Sequence, residues 1–153
     1  MLTLAVATLL ALPQPGVLVP GKSLAGISLG TREAKVRAAW GPQVGVCSGC
    51  RRRTLYFTYG PFNPVGVGAE FVRRRVVALY TLWSPSGWRT REGVTLGAGE
   101  LTVTGTYRGM VRADCGHYYA FTLRRSRVTT AFWFRDGVLW AFGLLRPSLG
   151  VCR

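Results

Sequence analysis

Hydrophobic and polar positions along the chain run through one pattern twice. Gly26-Ile27-Ser28-Leu29-Gly30 returns as Gly93-Val94-Thr95-Leu96-Gly97, and Val36 and Trp40 match Val103 and Tyr107 at the same offset. Further on, Thr54-Leu55-Tyr56-Phe57-Thr58-Tyr59 corresponds to Tyr118-Tyr119-Ala120-Phe121-Thr122-Leu123. A third block, from Ala69-Glu70-Phe71-Val72 to Leu82-Trp83-Ser84-Pro85, matches Ala131-Phe132-Trp133-Phe134 to Leu144-Leu145-Arg146-Pro147. Self-similarity in conserved order is the signature of an internal duplication.

Each unit reads as a helix followed by three strands. In the first, Thr31 is a suitable N-cap, Ala34, Lys35, Arg37, Ala38 and Ala39 favour helix, and Val36 and Trp40 share a face at i, i+4. Gly41-Pro42 ends that helix. Strands are expected over 54–59, 68–72 and 76–83, with 61–67 as a loop, since these runs are rich in β-branched and aromatic residues. Asp136-Gly137 marks a two-residue hairpin in the second unit. The second helix is poorly specified: Gly99 to Thr106 carries two glycines and three threonines, and helix is expected there from the repeat alone. The organisation is therefore a repeat over 24–85, a linker over 86–92 within the stretch SPSGWRTRE, and a repeat over 93–153. A lone ten-residue helix and three strands bury too little. Two units side by side give an α+β fold, one antiparallel sheet with both helices on one face.

Composition adds the compartment. The run Leu2 to Leu12 followed by Pro13-Gln14-Pro15-Gly16 has the length of a signal-peptide apolar region and is too short to span a bilayer. Residues 1–20 thus read as a signal peptide or a disordered N-terminal segment, although no Lys or Arg precedes the run. Four cysteines in a small exported chain imply two disulfides. No mature segment is long enough to cross a membrane. Among the 153 residues, 48% are hydrophobic, which excludes a disordered chain, and the net charge of +14 points to polyanionic partners.

The stretch Gly26-Ile27-Ser28-Leu29-Gly30-Thr31-x4-Val36-x3-Trp40-Gly41-Pro42 resembles the opening motif of the SmpA/OmlA outer-membrane lipoprotein family. The tandem helix-plus-meander arrangement resembles the β-lactamase-inhibitor-protein fold. Together these resemblances imply an exported binding or assembly protein without catalysis. The chain departs from the family at Thr31, where Met is usual, and lacks a lipidation cysteine, so anchoring is not carried over.

Several constellations bear on chemistry. Cys47-Ser48-Gly49-Cys50 is a CxxC placed after a helix end, whereas a redox pair needs a helix N-terminus to lower its thiol pKa. Cys47, Cys50, Cys115 and His117 have the types for a zinc site, but they leave Cys152 odd. The preferred pairing is Cys47 with Cys50 and Cys115 with Cys152; Cys47–Cys115 with Cys50–Cys152 is the rival. Asp114, Cys115 and His117 lie close enough to suggest a thiol nucleophile. The six carboxylates are scattered, with no pair spaced for acid–base work. The expectation is no enzyme, no cofactor and no metal.

Binding has better candidates. If both helices cover one sheet face, the other is open. Taking Asp136-Gly137 as a simple two-residue turn, Phe132, Phe134, Leu139, Ala141, Gly143 and Leu145 share a face. By the repeat they match Glu70, Val72, Val77, Leu79, Thr81 and Trp83, and Glu70 and Thr81 mark this set as the outward one. An exposed patch of Glu70, Leu79, Thr81, Trp83, Phe132 and Phe134 would suit a protein partner. Arg73, Arg74 and Arg75, with Arg124, Arg125 and Arg127, fall in loops and are expected to rim one end of the sheet. The leading expectation is an exported, secreted or cell-envelope, non-catalytic binding or inhibitor-like module for an unknown protein. The alternatives are a cationic protein held on anionic cell-envelope polymer or nucleic acid, and a small thiol or zinc enzyme.

Overall fold

The computed structural model describes residues 11–153. Eight strands form one antiparallel sheet. They are β3 (Val44–Val46), β4 (Arg53–Gly60), β5 (Asn63–Val72), β6 (Arg75–Leu82), β8 (Val111–Asp114), β9 (Tyr119–Arg125), β10 (Val128–Arg135) and β11 (Val138–Leu145), in the order β3-β4-β5-β6-β11-β10-β9-β8. Helix α1 (Glu33–Trp40) precedes the first four strands and α2 (Glu100–Thr106) the last four. A second, three-stranded sheet joins β2 (Ser23–Leu24), β1 (Val17–Val19) and β7 (Arg89–Thr90). No helix among the described residues is long and apolar enough to cross a membrane.

The main core lies on the helix side of the large sheet. Val36 and Trp40 of α1 and Val103 of α2, with Tyr107 just beyond it, are buried with Phe57, Phe71, Leu79, Phe132, Phe134 and Phe142. Trp40 meets Phe57 edge-on at 5.3 Å, and Tyr107 stacks on Phe132 at 5.1 Å. A smaller cluster of Ala78, Ala120, Ala131, Trp133, Ala141 and Leu145 occupies the opposite face, under Leu149 and Val151.

Several expectations are corrected here. Thr31 does not cap α1: Arg32 holds the cap position without a side-chain bond, and the Glu33 N–H donates to the Arg74 carbonyl of the β5–β6 turn (2.9 Å). The turn supplies the acceptor that a capping side chain would otherwise provide. The weak second helix forms because the same frame recurs, with the Glu100 N–H on the Gly137 carbonyl (3.1 Å) and Val103 and Tyr107 buried; tertiary contacts override propensity. Residues 61–67 are no loop: β4 and β5 are joined by Pro61 and Phe62 alone, and β5 starts at Asn63. Four strands follow each helix rather than three, because β3 and β8 add a short edge at either side. The linker is structural. Trp88 is fully buried, its ring lying where a Cβ on Gly16 would fall within 2.6 Å, and its Nε1 donates to the Tyr59 hydroxyl (2.6 Å), which donates to the Pro13 carbonyl (2.7 Å). Most of the apolar run at 2–12 lies outside the described residues. The stretch from 11 to 20 is part of the fold, with Leu12 and Leu18 buried and β1 paired to β7.

Candidate functional site on the helix-free sheet face

One irregularity in each central hairpin decides which side chains reach the open face. In β10–β11 the register steps from Phe134↔Leu139 to Trp133↔Ala141, so Trp140 is an extra residue. In β5–β6 it steps from Phe71↔Val76 to Glu70↔Ala78, leaving Val77 extra. A β-bulge of this kind inverts the inward–outward alternation beyond it. The expected outward set is therefore split. Leu79, Thr81, Phe132 and Phe134 belong to the helix side and are buried. Thr81 Oγ1 accepts the Phe142 N–H (3.1 Å), which places it inside the strand pairing. Glu70 does reach the open face, and Trp83 stands at its margin, 61% exposed, with its ring 6.3 Å from Trp140. Trp83 and Ser84 both hold positive φ (56° and 47°), a strained pair of non-glycine residues that turns the indole toward the open face.

What lies on that face is a depression of 620 Å³ lined by Trp133, Trp140, Tyr80, Tyr118, Glu70 and four arginines, Arg51, Arg52, Arg135 and Arg153. Small residues make the space. A Cβ on Gly68 would fall 2.5 Å from the Tyr80 ring, so Tyr80 lies flat across the strand. At Gly143 a Cβ would meet the Leu79 carbonyl oxygen at 2.1 Å, so the close β6–β11 approach admits only glycine. Both disulfides border the site through Cys50 and Cys152.

The charges are organised by one carboxylate. Glu70 is 6% exposed. Its Oε1 accepts from the Arg153 guanidinium and from the Tyr80 hydroxyl (3.3 Å); Arg52 stands 3.6 Å from Oε2, which has no hydrogen-bond partner among the described residues. Burial, and then the adjacent Glu70 charge, push the Tyr80 phenol well above its usual range, so it stays a donor. The segment after β11 crosses the face: Trp133 Nε1 donates to the Val151 carbonyl (2.8 Å) and Tyr118 exchanges hydrogen bonds with the Arg153 backbone. Four guanidiniums against one carboxylate leave the pocket cationic, and Arg135 sits 5.0 Å from the centre of the Trp140 ring.

The cysteines pair as Cys47–Cys50 and Cys115–Cys152. All four sulfurs are thus used, which overturns both the Cys3His zinc site and the Cys115–His117 nucleophile. Among the described residues no three metal-binding side chains gather. The expected arginine rim is corrected in part: Arg75 begins β6, and Arg124 and Arg125 end β9, so of the six only Arg73, Arg74 and Arg127 lie in turns. Strands β6 and β10 start at the same end of the sheet, so the turn holding Arg73 and Arg74 and the turn holding Ser126 and Arg127 lie at that end, three strand spacings or about 14 Å apart. Neither turn borders the aromatic pocket.

Sequence reasoning missed Tyr80, Trp133, Trp140, Arg52, Arg135 and Arg153. Trp133 and Trp140 were legible as a facing pair, but the repeat matched Glu70 to Phe132, whereas the two bulges align Glu70 with Trp133, so the pair was assigned to the wrong face.

No family model and no curated protein matches the chain, so the resemblance to the SmpA/OmlA family has no support from either comparison. One solved structure is similar, described as an extracellular protein containing a SCP domain from Bacillus anthracis str. Ames. The likeness has a TM-score of 0.57 at 10% identity over 78% of this chain. The chain spans 44% of that protein's length, and at this identity the likeness concerns the fold alone.

Proposed function

We propose that this protein is an exported, non-catalytic binding module that receives an acidic partner protein on its helix-free sheet face. The observation that carries the reading is the 620 Å³ depression, where Trp133, Trp140 and Tyr80 stand among four arginines. Tryptophan, tyrosine and arginine dominate binding hot spots because they combine large apolar area with fixed polar groups. The excess of guanidinium over carboxylate selects an acidic counterpart. Two disulfides fit an oxidising, extracytoplasmic compartment, and the similar solved structure comes from an extracellular protein. A duplicated ancestry, with units like those of the β-lactamase-inhibitor-protein fold, accords with a helix and four antiparallel strands occurring twice around the β6–β11 seam.

Capture from the native secretome tests it, using the wild type, Trp140→Ala, and Leu101→Ala as a control on the exposed side of α2. A partner kept by the wild type and Leu101→Ala but lost from Trp140→Ala supports the site. Identical partner sets from all three would remove it.

A further inference from the structure

A second basic site lies away from the aromatic face, and the sheet-face reading plays no part in it. Arg32, Arg37, Arg53, Arg73, Arg74 and Arg75 line a depression of 690 Å³ beside the start of α1, with Glu33 and Ala34 as the other residues of its wall. Glu33 is 5% exposed and acts as the internal counter-ion. Arg53 donates to it through Nε and Nη2, each at 2.8 Å, Arg74 spans its two oxygens at 3.1 and 3.2 Å, and Arg37 donates at 3.2 Å. Six guanidiniums against one carboxylate leave five net positive charges around one hollow.

The fold supplies its own control. The same frame exists at α2, where the Glu100 N–H meets the Gly137 carbonyl as the Glu33 N–H meets that of Arg74. There the turn is Asp136-Gly137, and the Glu100 carboxylate takes a Tyr119 hydroxyl instead of three arginines. Folding this frame therefore does not require a cluster of arginines. Their presence at α1 carries a conformational cost. Arg73 and Arg74 both hold positive φ (49° and 60°), in a turn whose favoured sequence is Asn-Gly or Asp-Gly. Strain kept where an easier sequence is at hand points to a use for the side chains.

We infer that this arginine hollow is a binding site for a flexible chain of closely spaced phosphate groups. Arginine forks match phosphate oxygens in bidentate geometry. Convergence of six of them on one small hollow calls for charge that can fold into it, which a stiff duplex cannot do. No aromatic side chain lines the hollow, so it offers nothing for bases to stack on, unlike sites for single-stranded nucleic acid.

The test uses two probes, inorganic polyphosphate and poly(glycerol phosphate), titrated by calorimetry at several salt concentrations. The informative variant is Arg73→Asn with Arg74→Gly, which installs the favoured turn. Relief of strain at two positive-φ positions is offset by loss of the exposed Arg74–Glu33 pair, so the melting temperature is expected to stay within about 3 °C of the wild type. Loss of two phosphate contacts is expected to weaken binding roughly tenfold near 0.15 M salt and to flatten the slope of log K against log salt by about 1.4. Arg89→Gln with Arg108→Gln removes the same charge outside the hollow and is expected to bind as the wild type does. Binding of either probe with this pattern supports the site, and the stronger probe tells ester from anhydride chains. The inference is overturned if neither probe binds, if the control loses as much affinity as the turn variant, or if duplex DNA displaces polyphosphate equally well.

Discussion

Replacing Cys115 and Cys152 together with alanine removes the bond that holds the segment after β11 across the open face. Two contributions set the size of the effect. Closing a loop with a sequence separation of 37 lowers the entropy of the unfolded chain by an amount worth about 4 kcal/mol at 25 °C in the chain-entropy treatment. The same treatment gives about 2 kcal/mol for Cys47–Cys50, with a separation of 3. The folded state loses little directly, since Leu149 and Val151 keep their packing against the alanine-lined face and Trp133 keeps the Val151 carbonyl. Urea unfolding followed by tryptophan fluorescence is the assay. The 115/152 variant is expected to lose about 3–4 kcal/mol and its 47/50 counterpart about half that. The slope m should rise for the first, because its denatured chain expands. Equal losses in the two variants, or a loss below about 1 kcal/mol for the first, would show that the long-range bridge does not constrain the chain as argued.

Three further outcomes follow from named contacts. The Glu33 carboxyl, held by hydrogen bonds from Arg53 first and then from Arg37 and Arg74, is lowered from 4.5 to about 2. Its folded value lies below its unfolded one, so its contribution, about 2–3 kcal/mol, is complete above pH 4.5 and fades as pH falls toward 2. Glu33→Gln should accordingly be less stable than the wild type at pH 6, with the gap closing near pH 2 in urea titrations. Gly143→Ala forces a Cβ to 2.1 Å from the Leu79 carbonyl oxygen, so β6 and β11 must separate; a loss of about 2–3 kcal/mol is expected by thermal melting. Leu79→Ala should cost about 2–5 kcal/mol, whereas Trp83→Ala should change stability by less than about 0.5 kcal/mol; comparable losses would contradict the face assignment.

Much of the architecture was readable in the chain because its signals are local. Gly41 stops α1 with φ 85°, Asp136-Gly137 makes its hairpin, and the repeated Val-x3-aromatic spacing finds both helix faces. The preferred disulfide pairing, suggested by the spacing of Cys47 and Cys50 and the position of Cys152, is the one observed, while the rival pairing stayed open in the sequence. The site was harder to read because parity is fragile. A single extra residue, Trp140 or Val77, inverts every assignment downstream in its strand, and nothing in the composition of these hairpins marks a bulge. Thus Glu70 was placed correctly while Leu79 and Thr81, beyond the bulge in β6, were not. The N-terminal side was misread for a different reason. Trp88 sits in a stretch rich in serine, glycine and arginine that looks like a linker, and its burial depends on Gly16 and Tyr59, far away in sequence. Long-range complementarity of this kind leaves no local periodicity. The bulge at Trp140 also shapes the site: it puts Trp140 and Ala141 consecutively on the open face, so that small residues, Ala141 and Gly143, follow the indole there while Phe142 and Leu144 turn into the core.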